Sequence, residues 1–293
     1  DYVAINGSYD GDDKSGWNVT VGDINGDGIY DIIIGVPFND SADGGSADSG
    51  AVYIFLGYPG INKDRFKTTF EDANITIYGT KAGDYFGWSV SSHGDVNGDG
   101  VDDIIIGAPG NDTSKENTVM TDCGRVYIFF GDKSWSTSST NGVVFHDTDA
   151  DVVITGEQKG EKLGYSVAIL GDMDGKGGNE TGVGAPYYDS SSLTDCGKVY
   201  VFKNRSSWSS VYNVSDADTS WEGEVANGLF GFSIANGGDF NDDGYDDCVI
   251  GAPSADRAYI YYGSLGLVPQ EYEITLTNKT DFETQALHRL EVH

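Results

Sequence analysis

Four times in 293 residues the chain writes a nine-residue acidic, glycine-rich loop and follows it with a short apolar run ending in Pro. The loops are Asp23-Ile-Asn-Gly-Asp-Gly-Ile-Tyr-Asp31, Asp95-Val-Asn-Gly-Asp-Gly-Val-Asp-Asp103, Asp172-Met-Asp-Gly-Lys-Gly-Gly-Asn-Glu180 and Asp239-Phe-Asn-Asp-Asp-Gly-Tyr-Asp-Asp247. In each, the first Asp stands 14 residues before a proline (Pro37, Pro109, Pro186, Pro253), and successive loops start 72, 77 and 67 residues apart. A period of this kind describes an array of similar units, none able to cover its own apolar faces alone.

One unit reads as four strands. In the second, Phe86-Gly87-Trp88-Ser89-Val90 precedes the acidic loop, and Asp103-Ile-Ile-Ile-Gly-Ala-Pro109 follows it, a β-branched run stopped by Pro. Arg125-Val-Tyr-Ile-Phe-Phe130 and Asp151-Val-Val-Ile-Thr155 complete the unit, and no stretch shows convincing helical periodicity. The other units repeat the order, with Glu273–Leu276 as the last fourth strand. Four antiparallel strands repeated radially predict an all-β fold, a β-propeller with four four-stranded blades. The repeats fall at about 8–79, 80–156, 157–223 and 224–277 of one unit spanning 1–293, with terminal segments 1–7 and 278–293. Tyr2-Val-Ala-Ile5 is a surplus, an outer strand belonging to a preceding blade.

Forty-seven acidic residues against 17 basic ones give a net charge of −30, and 15 of the acids lie in the four loops. That sign disfavours nucleic acid and anionic membranes as partners. No apolar stretch reaches the length of a membrane span, so no membrane insertion is expected of this segment. The chain opens at Asp1 with no basic-then-apolar leader and reads as a processed or truncated product. Nine Asn-X-Ser/Thr sequons favour a secreted glycoprotein; Asn39 and Asn111 share one loop position, and Asn74, Asn204 and Asn213 are further candidates. Cys123 and Cys196 occupy one place in successive repeats, where a disulfide and two free thiols are equally compatible; Cys248 sits in an apolar strand.

Acids at positions 1, 5 and 9 of a loop crowd like charges together, and a hard dication removes the repulsion. Oxygens at positions 1, 3, 5, 7 and 9, with Gly at 6 for the turn, compose a Ca²⁺ cage. The ligand sets are Asp23, Asn25, Asp27, the Ile29 carbonyl and Asp31; Asp95, Asn97, Asp99, the Val101 carbonyl and Asp103; and Asp239, Asn241, Asp243, the Tyr245 carbonyl and Asp247. So many protein oxygens suit Ca²⁺ better than Mg²⁺. The start looks like an EF-hand, but position 12 is Ile34, Ile106 or Ile250 instead of Glu, so the set closes at position 9. The third loop departs, with Lys176 at position 5 and Glu180 at position 9. Lys176 is expected to neutralise Asp172 and Asp174 in place of a metal, leaving about three Ca²⁺ ions, on the ligand-count rule.

Phe86-Gly87, Asp95-Val-Asn-Gly-Asp-Gly and Gly107-Ala-Pro109 together resemble the FG-GAP repeat of integrin α-subunit propellers. Phe230-Gly231 repeats the beginning; Gly184-Ala-Pro186 and Gly251-Ala-Pro253 repeat the ending; Ser15-Gly16 and Gly35-Val-Pro37 form a weaker first copy. The resemblance implies an extracellular, Ca²⁺-binding propeller used in adhesion or ligand recognition. It also implies structural Ca²⁺ loops on the face away from the ligand, in a ring that usually has seven blades. His93, His146, His288 and His293 show no triad or metal spacing, and no enzyme motif is present. Two other functions fit the residues. Related repeats occur in fungal lectins, and Trp135 and Trp208 lie in equivalent loops where they could stack on sugars or plug the space between blades. The terminal segments could instead join copies of the chain into a polymer by β-strand addition.

Overall fold

The computed structural model describes residues 4–7, 13–40, 46–60, 69–115, 118–135 and 142–267. It is an all-β fold of four successive sheets, broken only by three-residue 3₁₀ turns. The first sheet has β1 (Asn18–Gly22), β2 (Asp31–Val36), β3 (Ala51–Phe55) and β4 (Ile75–Tyr78). The second runs through β5 (Ser89–Ser91), β6 (Ile104–Ala108), a side hairpin of β7 (Thr113–Lys115) and β8 (Thr118–Met120), β9 (Arg125–Phe129), β10 (Val143–His146) and β11 (Val152–Thr155). The third has β12 (Ser166–Ile169), β13 (Thr181–Ala185), β14 (Lys198–Phe202) and β16 (Thr219–Glu222), with β15 (Val211–Asn213) between the last two in the chain. The fourth has β17 (Ser233–Gly238), β18 (Asp247–Ala252) and β19 (Arg257–Tyr261). Its expected fourth strand, Glu273–Leu276, lies outside the described residues.

Within each sheet the strands pair antiparallel in chain order, and each acidic loop joins the first strand to the second. The loop from the third strand to the fourth crosses back to the preceding sheet. There β10 pairs parallel with β4, and β15 pairs parallel with β11. These added strands cover an outer edge that would otherwise present open main-chain groups. Asn6 bridges Thr69 in the same parallel sense. Asn6 follows directly on the surplus segment Tyr2–Ile5, of which Tyr2 and Val3 lie outside the described residues.

The first strands lie side by side, β1 on β5, β5 on β12 and β12 on β17. Alternation along each strand sends side chains to both neighbours. Ile104 and Ile106 pack with Ile33, Ile54 and Ile77 of the first sheet, while Ile105 packs with Val167 and Val183 of the third. Two glycines per repeat permit this approach. A Cβ on Gly35 would collide with the Gly87 carbonyl, and one on Gly107 or Gly184 with that of Gly164 or Gly231. Gly87 itself takes φ 87°, open at low cost only to glycine. The strands thus hold the two motif glycines together at one end and the acidic loops at the other.

Candidate metal centres

Each acidic loop is wound around its first carboxylate. Asp23 accepts from the N–H groups of Asp27 (2.9 Å) and Gly28 (2.8 Å), and Asp239 from those of Asp243 (2.9 Å) and Gly244 (2.8 Å). Asp95 accepts from Gly98 (2.6 Å) and Gly100 (2.7 Å). Positions 3 and 5 converge: the Asn97 Nδ2 lies 3.0 Å from Asp99 Oδ2, and the Asn241 Nδ2 2.8 Å from Asp243 Oδ2. The Asn25 and Asp27 side chains approach less closely, at 3.4 Å. The side-chain oxygens at positions 1, 3 and 5 therefore line one concave turn, while the position-7 residues Ile29, Val101 and Tyr245 donate their N–H groups to the position-5 carboxylate.

Position 9 sits deeper. Asp31, Asp103 and Asp247 are fully buried. Each closes the loop on its own position 2 and ties it to the chain just beyond the third strand: Asp103 accepts from Val96 N–H (2.7 Å) and Gly131 N–H (3.0 Å), and Asp247 from Phe240 (2.8 Å) and Gly263 (2.9 Å). Asp31 does the same with Ile24 and Gly57. Burial pushes Asp31 and Asp103 up to about 7 and raises Asp247, against those N–H bonds; the acids at positions 1 and 5 add to the rise. A row of acids that resists ionisation in this way matches the donor set of a hard cation, which would favour the ionised form. In these three loops the carboxylates at positions 1, 5 and 9 are spread onto main-chain N–H groups and do not gather within 4.8 Å of one another.

The third loop is different. Asp172, Asp174 and Glu180 bring ligand oxygens within 4.8 Å of one another, the one such group among the described residues. Yet the Lys176 ammonium lies 2.8 Å from Asp174 Oδ2, and the Lys203 ammonium 3.4 Å from the same oxygen. Burial opposes ionisation of Asp174, but these lysines, Lys176 first, hold its carboxyl below the usual range. Lys176 does not pair with Asp172, whose oxygens accept from the N–H groups of Lys176 (3.1 Å) and Gly177 (3.0 Å). Lys203, which sequence reasoning missed, fills the place held by Leu56 and Phe130 in earlier repeats.

Other expectations need correction. Cys123 and Cys196 are buried free thiols in separate sheets, lying against the Asn111 and Tyr188 carbonyls, so the disulfide is not formed. Asn39, Asn74 and Asn111 are buried, which leaves no room for a glycan. Asn74 accepts from Leu56 N–H, and Asn111 donates to Asp84. The Asn204 side chain donates to the Asp95 carbonyl at 2.9 Å; Asn213 is exposed. Trp135 packs half-buried on the core between the first two sheets, and the half-buried Trp208 donates from Nε1 to the Val96 carbonyl at 3.0 Å. His93 and His146 pair with Asp102 and Asp149, whereas His288 and His293 lie outside the described residues.

At the opposite end, the residue after each first motif glycine is aromatic. Trp17, Trp88, Tyr165 and Phe232 form a continuous arc with centroid separations of 4.8, 5.3 and 4.8 Å. Phe38, Tyr85 and Tyr187 flank it. The Lys14 ammonium stands 4.1 Å from the Phe38 centroid and 5.9 Å from that of Trp17, a cation–π contact at one end of the arc.

These loops and motif glycines make the chain a protein of FG-GAP repeats, and the FG-GAP repeat family matches residues 15–55, 86–129 and 230–268. The third repeat, with Lys176, lies outside the matched segments. The chain is similar to integrin α subunits over most of its length. It is 29% identical over 257 residues to integrin alpha-5 of Xenopus laevis and 30% identical over 261 residues to integrin alpha-PS2 of Drosophila melanogaster, each alignment covering 87% of the chain. With integrin alpha-V of Gallus gallus it shares 28% over 252 residues, 85% of the chain. It spans 21%, 16% and 21% of these relatives respectively. Among solved structures, rhamnogalacturonan lyase YesW covers 82% of the chain with a TM-score of 0.43 and 14% identity, and 40% of its own chain is matched. A likeness that low bears on nothing here. Among the described residues no helix is long and apolar enough to cross a membrane.

Proposed function

We propose that the chain is an extracellular, Ca²⁺-stabilised propeller segment that recognises a protein ligand, in adhesion or a related contact. The resemblance to integrin α subunits supports the class. The aromatic arc carries the reading: four rings in line on the motif-glycine end, away from the acidic loops, with Trp17 44% exposed. Such a surface offers flat apolar area and ring faces that attract cations, and Lys14 already uses one end of it. The ligand is then a protein that presents an arginine or lysine side chain to the arc. The acidic loops bind Ca²⁺ at three sites, and the lysine pair neutralises the fourth. The ions stiffen the turns between first and second strands and touch no ligand.

The test is tryptophan emission during titration with an oligo-arginine peptide in Ca²⁺-containing buffer. Saturable quenching is expected, weakened at least about tenfold by Trp88→Ala, since a central aromatic anchor contributes 1–2 kcal/mol or more. An oligo-glutamate peptide is expected to give no response. Equal quenching in Trp88→Ala would overturn the arc as the recognition surface.

A further inference from the structure

The fold sorts the nine sequons of the sequence. Asn39, Asn74 and Asn111 are buried, and Asn18, Asn179 and Asn204 are half-buried with their amides engaged between sheets. Asn18 accepts from Val90 N–H at 3.2 Å and Asn179 from Asp95 N–H at 2.8 Å, while Asn204 donates to the Asp95 carbonyl at 2.9 Å. A sugar on any of these would break the contact that its amide makes or part the packed side chains around it. The sequons of Asn6 and Asn278 run into residues outside the described ones.

Asn213 stands differently. It ends β15, the outermost strand in the order β15–β11–β9–β6–β5, with β11 on one side and no strand on the other among the described residues. The residue is exposed, and among the described residues its side-chain amide donates no hydrogen bond. Its place on the rim is fixed without that amide. The Asn213 main-chain N–H donates to Asp216 Oδ2 at 2.9 Å, and the buried Val214 side chain anchors the 3₁₀ turn Val214–Asp216 that follows. Ser215, whose hydroxyl completes the sequon, is exposed and donates to Glu157 at 3.1 Å.

The same corner occurs in the two earlier repeats. Thr69 and His146 precede the turns Phe70–Asp72 and Asp147–Asp149, and His146 N–H donates to Asp149 at 2.8 Å as Asn213 does to Asp216. Of these three repeats the third alone places an acceptor asparagine at the corner. An exposed apolar residue accompanies it. Val211 is 60% exposed and lies two positions before Asn213, so both side chains leave the same face of the strand. Val144 holds the equivalent position in β10 and is 52% exposed.

We propose that Asn213 carries an N-linked oligosaccharide, which covers Val211 and the open edge of β15. The proposal rests on the extracellular reading above. The donor is an oligosaccharide carried on a polyprenyl diphosphate. A bond forms between Asn213 Nδ2 and the anomeric carbon, and the bond from that carbon to the diphosphate oxygen breaks. The polyprenyl diphosphate leaves with the electron pair, and the amide proton passes to the transferase and then to water. An edge strand with an apolar side chain beside open main-chain groups is a template for unwanted pairing, and a bulky hydrated cover removes it. Four strand spacings, roughly 19 Å, separate β15 from β5, which follows Trp88 directly. The sugar is therefore rooted on the outer rim, away from the aromatic arc.

The whole chain, secreted from a eukaryotic cell behind a removable signal peptide, tests this by glycopeptide mass spectrometry. A glycan is expected on the Asn213 peptide and none on those of Asn39, Asn74, Asn111, Asn179 and Asn204. Ser215→Ala is expected to lose it and Ser215→Thr to keep it, since either hydroxyl completes the sequon. Hydroxyl-radical labelling of Val211, with Val144 as reference, is expected to rise when the glycan is removed enzymatically. An unmodified Asn213 in the secreted, folded chain would overturn the site, as would a glycan on Asn179 or Asn204. Labelling of Val211 that ignores the glycan would overturn the cover. Secretion is imposed, so these outcomes judge the site alone; the extracellular reading stands or falls on fractionation of the native protein.

Discussion

Glu161 shows what one side chain can cost in such a fold. It sits three residues before a motif glycine, where Asp84 sits in the previous repeat, and it is fully buried. Its Oε1 accepts from the N–H groups of Glu157 and Gln158, the latter at 2.9 Å, while Oε2 has no partner. Burial raises the carboxyl from 4.5 to about 7, against those two bonds. Between these values the folded chain holds a proton that the unfolded chain has released, so stability from this residue falls as pH rises through the window. Glu161→Gln keeps the acceptor, removes the charge and places an amide donor at the unpartnered position. It is expected to raise the melting temperature by roughly 5 °C at about pH 8 and to leave it unchanged at about pH 4.5, from the usual conversion of stability into temperature. Thermal melts followed by circular dichroism at both pH values check this. An equal gain at both would assign the effect to packing and not to ionisation.

Neighbouring sheets meet through glycine, and the meeting is unforgiving. A Cβ on Gly107 would run into the Gly164 carbonyl and the Ser89 hydroxyl, both in regular strands or turns that cannot retreat without parting the sheets. Gly107→Ala is therefore expected to cost more than about 3 kcal/mol, the class of effect that overpacking between rigid backbones produces. Urea unfolding of the variant measures it, and a loss under about 1 kcal/mol would mean that the sheets slide apart more readily than this packing implies. The strands that make this contact were legible in the sequence, because runs such as Ile104–Ala108 and Arg125–Phe129 are β-branched or aromatic and bounded by turn residues. The crossing strands β10 and β15 were not, since Val143–His146 and Val211–Asn213 sit in polar loops and pair with another repeat's edge. The candidate ligand sets of the loops are read from spacing alone, being local. Lys203 reaches Asp174 from 29 residues away, and no local pattern encodes that. The buried sequons failed for a related reason: Asn39 and Asn111 follow a proline turn that reads as surface, yet the turn points its amide inward.

At the scale of the whole molecule the governing quantity is charge. A net −30 on one chain opposes compaction, and 15 of its acids are concentrated in four turns at one end. Screening by salt acts on all of them alike, whereas a cation held in a cage acts only where oxygens converge. The two can be separated. Removing Ca²⁺ with EGTA is expected to lower the melting temperature markedly; each site at a hundredfold excess over its dissociation constant contributes about 2.7 kcal/mol. Raising NaCl in the chelated protein is expected to recover only part of that loss, and Mg²⁺ less than Ca²⁺ at equal concentration. Calorimetric titration is expected to give three sites, and Lys176→Asp combined with Lys203→Leu a fourth, because the two ammonium groups that hold Asp174 are then gone and Asp172, Asp174 and Glu180 already lie within reach of one ion. A stoichiometry of four in the unaltered chain would mean that Lys176 swings out of its loop to admit the ion. Full recovery of stability by NaCl alone would reduce the loops to solvated acidic turns and leave the glycine contacts and the three inter-sheet cores as what holds the array together.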